Sequence, residues 1–315
     1  MNEPTLNYVL CPGSAAPPVA PDRAPAPAQQ HRMAYWEWNA TGNPAHPHVV
    51  VCVHGLSRQG RDFDALAAVL TAHARVVCVD VAGRGHSDWL ADPLGYQIPQ
   101  YGLDILALLA DLRSTSDVLH IDWVGTSMGG LIGLGVAAQP SAGLRRLVLN
   151  DVGPNVRWEA LLRIGTYLGQ NPLFATQDEA VAYLASISTG FGPHTPAQWL
   201  ALSLPMLRAT DGGWRLHYDP AIAVPFRALV GLAEEQGQAA AAASESALWA
   251  LYDSLSLPTL LLRGAESDLL TAETAQAMTQ RGPHALRVDF AGVGHAPTLV
   301  AADQIEAVRR FLFEA

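Results

Sequence analysis

Ile121-Asp122-Trp123-Val124-Gly125-Thr126-Ser127-Met128-Gly129-Gly130 is the stretch on which the reading of the fold turns. The apolar run from Leu119 to Val124 reads as a strand buried on both faces. A helix opens near Met128 and continues to Ala138. Between them lies Gly-x-Ser-x-Gly, the pattern of a strand-to-helix turn tight enough to hold its serine at strained dihedrals. Side chains two residues before and two after that serine would collide, and Gly125 and Gly129 stand there. Such a turn lifts the Ser127 hydroxyl clear of the sheet. It also places the hydroxyl at a helix N-terminus, where the dipole favours developing negative charge. Ser127 is the candidate nucleophile.

The flanking sequence repeats the same rhythm. Apolar strands are expected at His48 to Val53, Arg75 to Val81 and Arg145 to Asp151. Helical spacing covers Asp62 to Ala72, and also Ile98 to Arg113 with Leu103, Leu106, Leu109 and Leu112 along one side. Alternating strand and helix implies parallel βαβ units with right-handed crossovers. The rhythm stops from Pro154 to about Ser246, where helical segments and turns carry no buried strand. It resumes with strands at Thr259 to Arg263 and Ala285 to Phe290. The expected architecture is one open, mostly parallel α/β sheet interrupted by a helical insertion. The expected divisions are 1–153, the first part of the core; 154–246, the cap; and 247–315, the second part of the core. Leu6 to Leu10 and Met33 to Trp38 read as two hairpin strands, joined by a loose Pro/Ala-rich connection from Pro12 to Gln30.

Composition narrows the chemistry. The chain has 315 residues, half of them hydrophobic, so a large core is within reach. Its net charge of -10 gives no electrostatic footprint for nucleic acid or anionic lipid. All 19 basic residues are arginine, which excludes a lysine Schiff base, a lysine general base and a P-loop lysine. Cys11, Cys52 and Cys78 are too few and too scattered for a disulfide framework, and no zinc motif is read from them; a reducing, cytoplasmic compartment is expected. Met-Asn-Glu-Pro does not read as a signal peptide. No apolar run reaches the roughly 18 residues of a membrane span.

Three further segments fall at strand ends. Val53-His54-Gly55-Leu56 closes the first buried strand, where a backbone N–H can face the serine. Acyl transfer needs two donors at the developing oxyanion, and the amides of Leu56 and Met128 are assigned that place. His54 is read as a structural histidine. Gly292-Val293-Gly294-His295 follows the last strand, and its glycine-flanked histidine can reach the serine proton. His295 is therefore the candidate general base. Asp268, in Gly264-Ala265-Glu266-Ser267-Asp268, is the expected acid that orients His295; Asp151, at the end of the strand before the insertion, is the alternative. The loop Asp80 to Asp88 is read as structural, with Arg84 and Asp88 bonding neighbouring loops.

Together these phrases resemble the α/β-hydrolase superfamily, from about Met33 to Gly153 and from Pro258 to the C-terminus. The segment Val53 to Arg58, with Arg61-Asp62-Phe63, is similar to its esterase-type and meta-cleavage-hydrolase-type branch. The resemblance implies a sheet of about eight strands, a helical cap after the sixth and no cofactor. It also implies Ser127, Asp268 and His295 as a triad with Leu56 and Met128 as oxyanion donors. Serine at the elbow, where haloalkane dehalogenases and soluble epoxide hydrolases carry aspartate, weighs against both. Ser57-Arg58-Gln59-Gly60 in place of a Gly-rich loop lowers the carbon-carbon hydrolase reading.

The expected reaction is hydrolysis of a small or medium carboxylic ester, an oligoester included, through an acyl-enzyme. Carbon-carbon hydrolysis, acyl transfer and a non-enzymatic ligand receptor are the rivals. No metal is expected, and the chain is expected to be a monomer or homodimer. Trp158, Tyr167, Phe174, Tyr183, Phe191, Trp199, Trp214, Tyr218 and Phe226 supply the aromatics of the insertion. Arg215 and His217 are polar candidates for meeting substrate.

Overall fold

The computed structural model describes residues 3–13 and 29–314. Most of the Pro/Ala-rich stretch, 14–28, lies outside the described residues. On either side of it, β1 (Thr5–Cys11) and β2 (His31–Trp38) pair antiparallel, Cys11 opposite His31. The chain continues through β3 (His48–Val53), α1 (Asp64–Leu70), β4 (Arg75–Asp80), α2 (Ile98–Thr115), β5 (His120–Thr126), α3 (Met128–Ala137) and β6 (Leu144–Asn150). The insertion holds α4 (Trp158–Gly165), α5 (Gln177–Ile187), α6 (Pro196–Ser203), β7 (Leu207–Thr210), β8 (Gly213–Leu216), α7 (Ala223–Val230) and α8 (Glu234–Ser254). The core closes with β9 (Thr259–Gly264), α9 (Ala272–Gln280), β10 (Leu286–Phe290) and α10 (Ala302–Phe313).

The main sheet has eight strands in the order β1-β2-β4-β3-β5-β6-β9-β10. From β4 to β10 neighbours run parallel, and only the β1-β2 and β2-β4 pairs are antiparallel. The central strands are valine- and leucine-rich and buried on both faces, because helices cover both sides. One apolar layer packs α2 and α3 onto the sheet; the other packs α1 and α10.

Three details differ from the expectation. The buried stripe of α2 is Tyr101, Ile105, Leu108, Leu109 and Leu112, while Leu103 is exposed. That stripe advances by four, three, one and three residues, closer to the true helical period than an unbroken step of three. The insertion also contains a short antiparallel hairpin, β7-β8. Its strands have four residues each and are only partly buried, so they lack the apolar run of a core strand. Finally, the expected division at 246 falls inside α8. Its alanine-rich middle continues as one helix into the residues that lead back to the core.

Candidate active site

Ser127 sits between β5 and α3 at φ 52° and ψ -115°, a conformation that L-residues rarely adopt. The surrounding glycines explain how the turn is tolerated. A Cβ on Gly125 would collide with the carbonyl of Gly129, and one on Gly129 with the carbonyl of Val53. The Ser127 N–H donates to the Asn150 carbonyl at 3.0 Å, tying the turn to the end of β6. Met128 is the first residue of α3, so its N–H has no acceptor within the helix.

His295, on the loop after β10, meets this serine. Its Nε2 lies 2.9 Å from Ser127 Oγ, and its Nδ1 lies 2.6 Å from Oδ2 of Asp151. Asp151 is fully buried. Its φ of 55° turns the carboxylate back across the end of β9. There Oδ1 accepts the Gly264 N–H at 2.8 Å, and Oδ2 also accepts the Ser267 hydroxyl at 2.6 Å. Ser267 Oγ in turn accepts the N–H groups of Leu269 and Leu270.

Asp268 is a correction. It does not reach His295; its half-exposed carboxylate pairs with Arg163 of α4, at 2.6 and 3.0 Å. The reason is local. The loop after β9 turns Ser267 inward, toward Asp151, and the next residue outward, toward the cap. Asp151, a single residue beyond β6, already occupies the position beside His295. Glu266 lines the same cavity as Asp268.

His54 is fully buried and bridges two loops. Its Nδ1 lies 2.7 Å from the Gly55 carbonyl, and its Nε2 accepts the Val81 N–H at 3.0 Å. Burial pushes its pKa down to about 3, so the ring is neutral, as a structural histidine should be. Arg84, also fully buried, donates to the carbonyls of Leu56 and Ala82 at 2.9 and 2.7 Å and to the Tyr101 hydroxyl at 2.8 Å. Its Nη2 lies 3.7 Å from Met128 Sδ. One guanidinium therefore braces both residues assigned as oxyanion donors. Asp88 pairs with Arg32 across the neighbouring edge of the sheet. The structural role read for the 80–88 loop thus matches the contacts.

A cavity of about 330 Å³ opens above Ser127. Its floor is His54 to Arg58, Ser127 and His295 from the core. Its walls include Ile164, Tyr167, Tyr183, Leu184, Ile187, Phe191 and Tyr218 from the insertion, which therefore forms a cap over the serine. Trp158, Phe174, Trp199, Trp214 and Phe226 do not line it. Phe174 packs on Tyr183, and Trp199 stacks on Phe191. Arg215 donates to the Asn171 carbonyl and His217 packs edge-on to His86, so neither expected polar contact faces the cavity. Gly190 of the cap lies against the backbone of His295 and accepts the Gly294 N–H at 2.7 Å.

Sequence reasoning missed Ser267, Gly190 and Asn150. The Asn150 amide donates to Thr126 Oγ1 and to the Pro297 carbonyl, joining the serine turn to the histidine loop. For Asn150 and Ser267 the available signal was position near a strand end; Gly190, in a turn after α5, carried none. Among the described residues, no helix is long and apolar enough to cross a membrane.

Comparison with known proteins agrees with this fold. Residues 48–302 match the model of the alpha/beta hydrolase fold family. The 3-hydroxybutyrate-oligomer hydrolase of Cupriavidus necator is 49% identical over 302 residues, covering 95% of this chain and 98% of that protein. An esterase of Mycobacterium tuberculosis is 27% identical over 278 residues, 84% of this chain and 82% of that one. The crystal structure of an alpha/beta hydrolase from Novosphingobium aromaticivorans superposes with a TM-score of 0.77 at 33% identity, covering 99% of both chains. The chain is an ester hydrolase and belongs to the α/β-hydrolase fold family.

Proposed function

We propose that this enzyme hydrolyses short oligoesters of 3-hydroxybutyrate, with Ser127 as nucleophile, His295 as general base and Asp151 as the acid that orients it. One observation carries the catalytic part. The Ser127–His295–Asp151 hydrogen-bond chain lies on the floor of a capped cavity. His295 Nε2 takes the serine proton as Oγ attacks the ester carbonyl. The buried Asp151 carboxylate holds the Nδ1–H tautomer and stabilises the imidazolium that forms. The amides of Leu56 and Met128 receive the oxyanion; each such donor contributes about 3 kcal/mol to the transition state. His295 then protonates the departing hydroxyl of the next unit, and water releases the acyl group by the same steps.

The oligoester assignment is supported by the extended likeness to the Cupriavidus enzyme and by cavity size. About 330 Å³ is at the small end for a small-molecule site and suits a few hydroxyacyl units. The cap walls are mainly aliphatic and aromatic, suited to the methyl-bearing backbone of such a chain. Three free, buried cysteines favour a reducing compartment, which we take to be the cytoplasm. We take the partner to be the small-molecule ester alone, and the assembly to be a monomer or homodimer.

The test offers linear 3-hydroxybutyrate trimer, p-nitrophenyl acetate and p-nitrophenyl dodecanoate to the wild type and to Ser127→Ala. Trimer cleavage that falls by at least about 10⁴-fold in the variant is the expected result. Hydrolysis of p-nitrophenyl acetate without any trimer cleavage would remove the oligoester assignment and leave the esterase. No ester turnover, with Ser127 still labelled by a fluorophosphonate, would overturn both.

A further inference from the structure

A second cluster of chemistry-bearing side chains lies at the β1 edge of the sheet, away from the interior strands that carry Ser127. Cys11 and His31 are the last register pair of the β1-β2 ladder. Cross-strand partners project their side chains to the same face. Gln100 and Asp104 stand one turn apart on α2, which packs against β1. All four are at least nine-tenths buried: Cys11 and Asp104 are fully buried, His31 is 5% exposed and Gln100 is 4% exposed. The thiol, imidazole and carboxylate ligand atoms lie within 4.8 Å of one another.

The cluster holds more lone pairs than donors. His31 Nε2 is 3.0 Å from Asp104 Oδ2, and Gln100 Nε2 donates to Asp104 Oδ1 at 2.7 Å. Among the described residues, Gln100 Oε1 and His31 Nδ1 have no hydrogen-bond partner. A neutral His31 that donates Nε2–H to Asp104 leaves Nδ1 as a bare acceptor. Cys11 Sγ makes long contacts to the carbonyls of Val9 and Asp104 at 3.9 and 3.8 Å, beside a backbone contact to Met33. Orphaned polar atoms at this depth cost their full desolvation. Asp104 is a buried carboxylate whose ion-pair partner is a histidine, not an arginine.

We propose that Cys11, His31 and Asp104, with Gln100 Oε1 in the fourth position, form a structural site for a divalent zinc ion. With Nε2 as the His31 ligand and its proton moved to Nδ1, zinc replaces the His31–Asp104 hydrogen bond and takes up the unpartnered Gln100 Oε1, and the charges close. On binding, Cys11 loses its thiol proton to solvent, and thiolate plus carboxylate balance the two positive charges. The mixed sulfur, nitrogen and oxygen set suits tetrahedral zinc. Ligand atoms about 2.0 Å from such an ion lie roughly 3.3 Å apart, near the His31–Asp104 separation; the sulfur closes in by about 1 Å. A four-ligand, closed site has no open position for chemistry. Its work would be to staple the antiparallel strand pair to α2. It is separate from Ser127 and does not depend on the oligoester reading.

The test uses the whole chain, dialysed against chelator and then titrated with zinc chloride or cobalt chloride. One equivalent of zinc should bind and raise the melting midpoint by about 4 °C at a hundredfold excess over Kd. Cobalt should give a thiolate charge-transfer band, and Cys11→Ser should lose that band. Zinc absorption spectroscopy on the unaltered chain covers the case in which Cys11→Ser does not fold. One sulfur at about 2.3 Å with nitrogen and oxygen near 2.0 Å is expected there. No stoichiometric binding, a zinc shell without sulfur, or a cobalt band that persists in Cys11→Ser would each overturn the site.

Discussion

At the scale of single residues, the choice between two aspartates separates reading from geometry. Asp151 and Asp268 both follow Ser127, precede His295 and sit just after a strand. Motif order therefore admits either, and only the backbone turn at Asp151 brings its carboxylate to 2.6 Å from His295. Asp151→Asn should lower kcat by roughly 10⁴-fold, because an amide can hold the histidine in the wrong tautomer. Asp268→Asn should leave kcat within about threefold, since it breaks a half-exposed ion pair with Arg163. Steady-state kinetics of the two variants decide the matter; the reverse ranking would return Asp268 to the triad.

At the scale of elements, the local chemistry of strand ends was largely legible. Gly125 and Gly129 around Ser127 announce a turn in which a Cβ at either glycine would collide with backbone, and the turn lies where they predict. The distant partners of Arg84 were not legible, because Leu56 lies 28 residues before it and Tyr101 and Met128 lie 17 and 44 after it. Arg84→Met should leave the Leu56 and Ala82 carbonyls and the Tyr101 hydroxyl without that donor. We expect a loss of about 3 kcal/mol in urea denaturation, together with lower kcat as the loop carrying Leu56 loosens. A stability within about 0.5 kcal/mol of wild type would show that the guanidinium is dispensable to the fold.

At the scale of the whole molecule, pH reports how deeply titratable groups are buried. His54 has its pKa lowered to about 3 from an ordinary 6.5 by burial, so the unfolded chain binds the extra proton first. Its contribution is present above pH 6.5 and is lost as pH falls toward 3, at about 1.4 kcal/mol per unit. His217, lowered to about 4 by burial, acts in the same direction. Asp80, pushed up to about 6 by burial, acts in the opposite one. The His54 share is therefore read by difference. Between pH 6.5 and 5, wild type should lose about 2 kcal/mol more unfolding free energy than His54→Gln. Parallel profiles for the two proteins would contradict a neutral, buried His54.

The sequence alone pointed to a mostly parallel sheet, to an interruption of its rhythm from Pro154, and to Ser127 and His295, whose side chains the structure brings within 2.9 Å. Each of these is written in local signals: apolar β-branched runs, the glycine-spaced turn, and position at a strand end. Only the tertiary structure decided which aspartate meets His295, which cap aromatics face the cavity and what Arg84 braces. It alone brought Cys11, His31, Gln100 and Asp104 together. Those are distances between segments far apart in the chain. They follow from how strands align across the sheet and how the cap settles on it, which no short window of residues encodes.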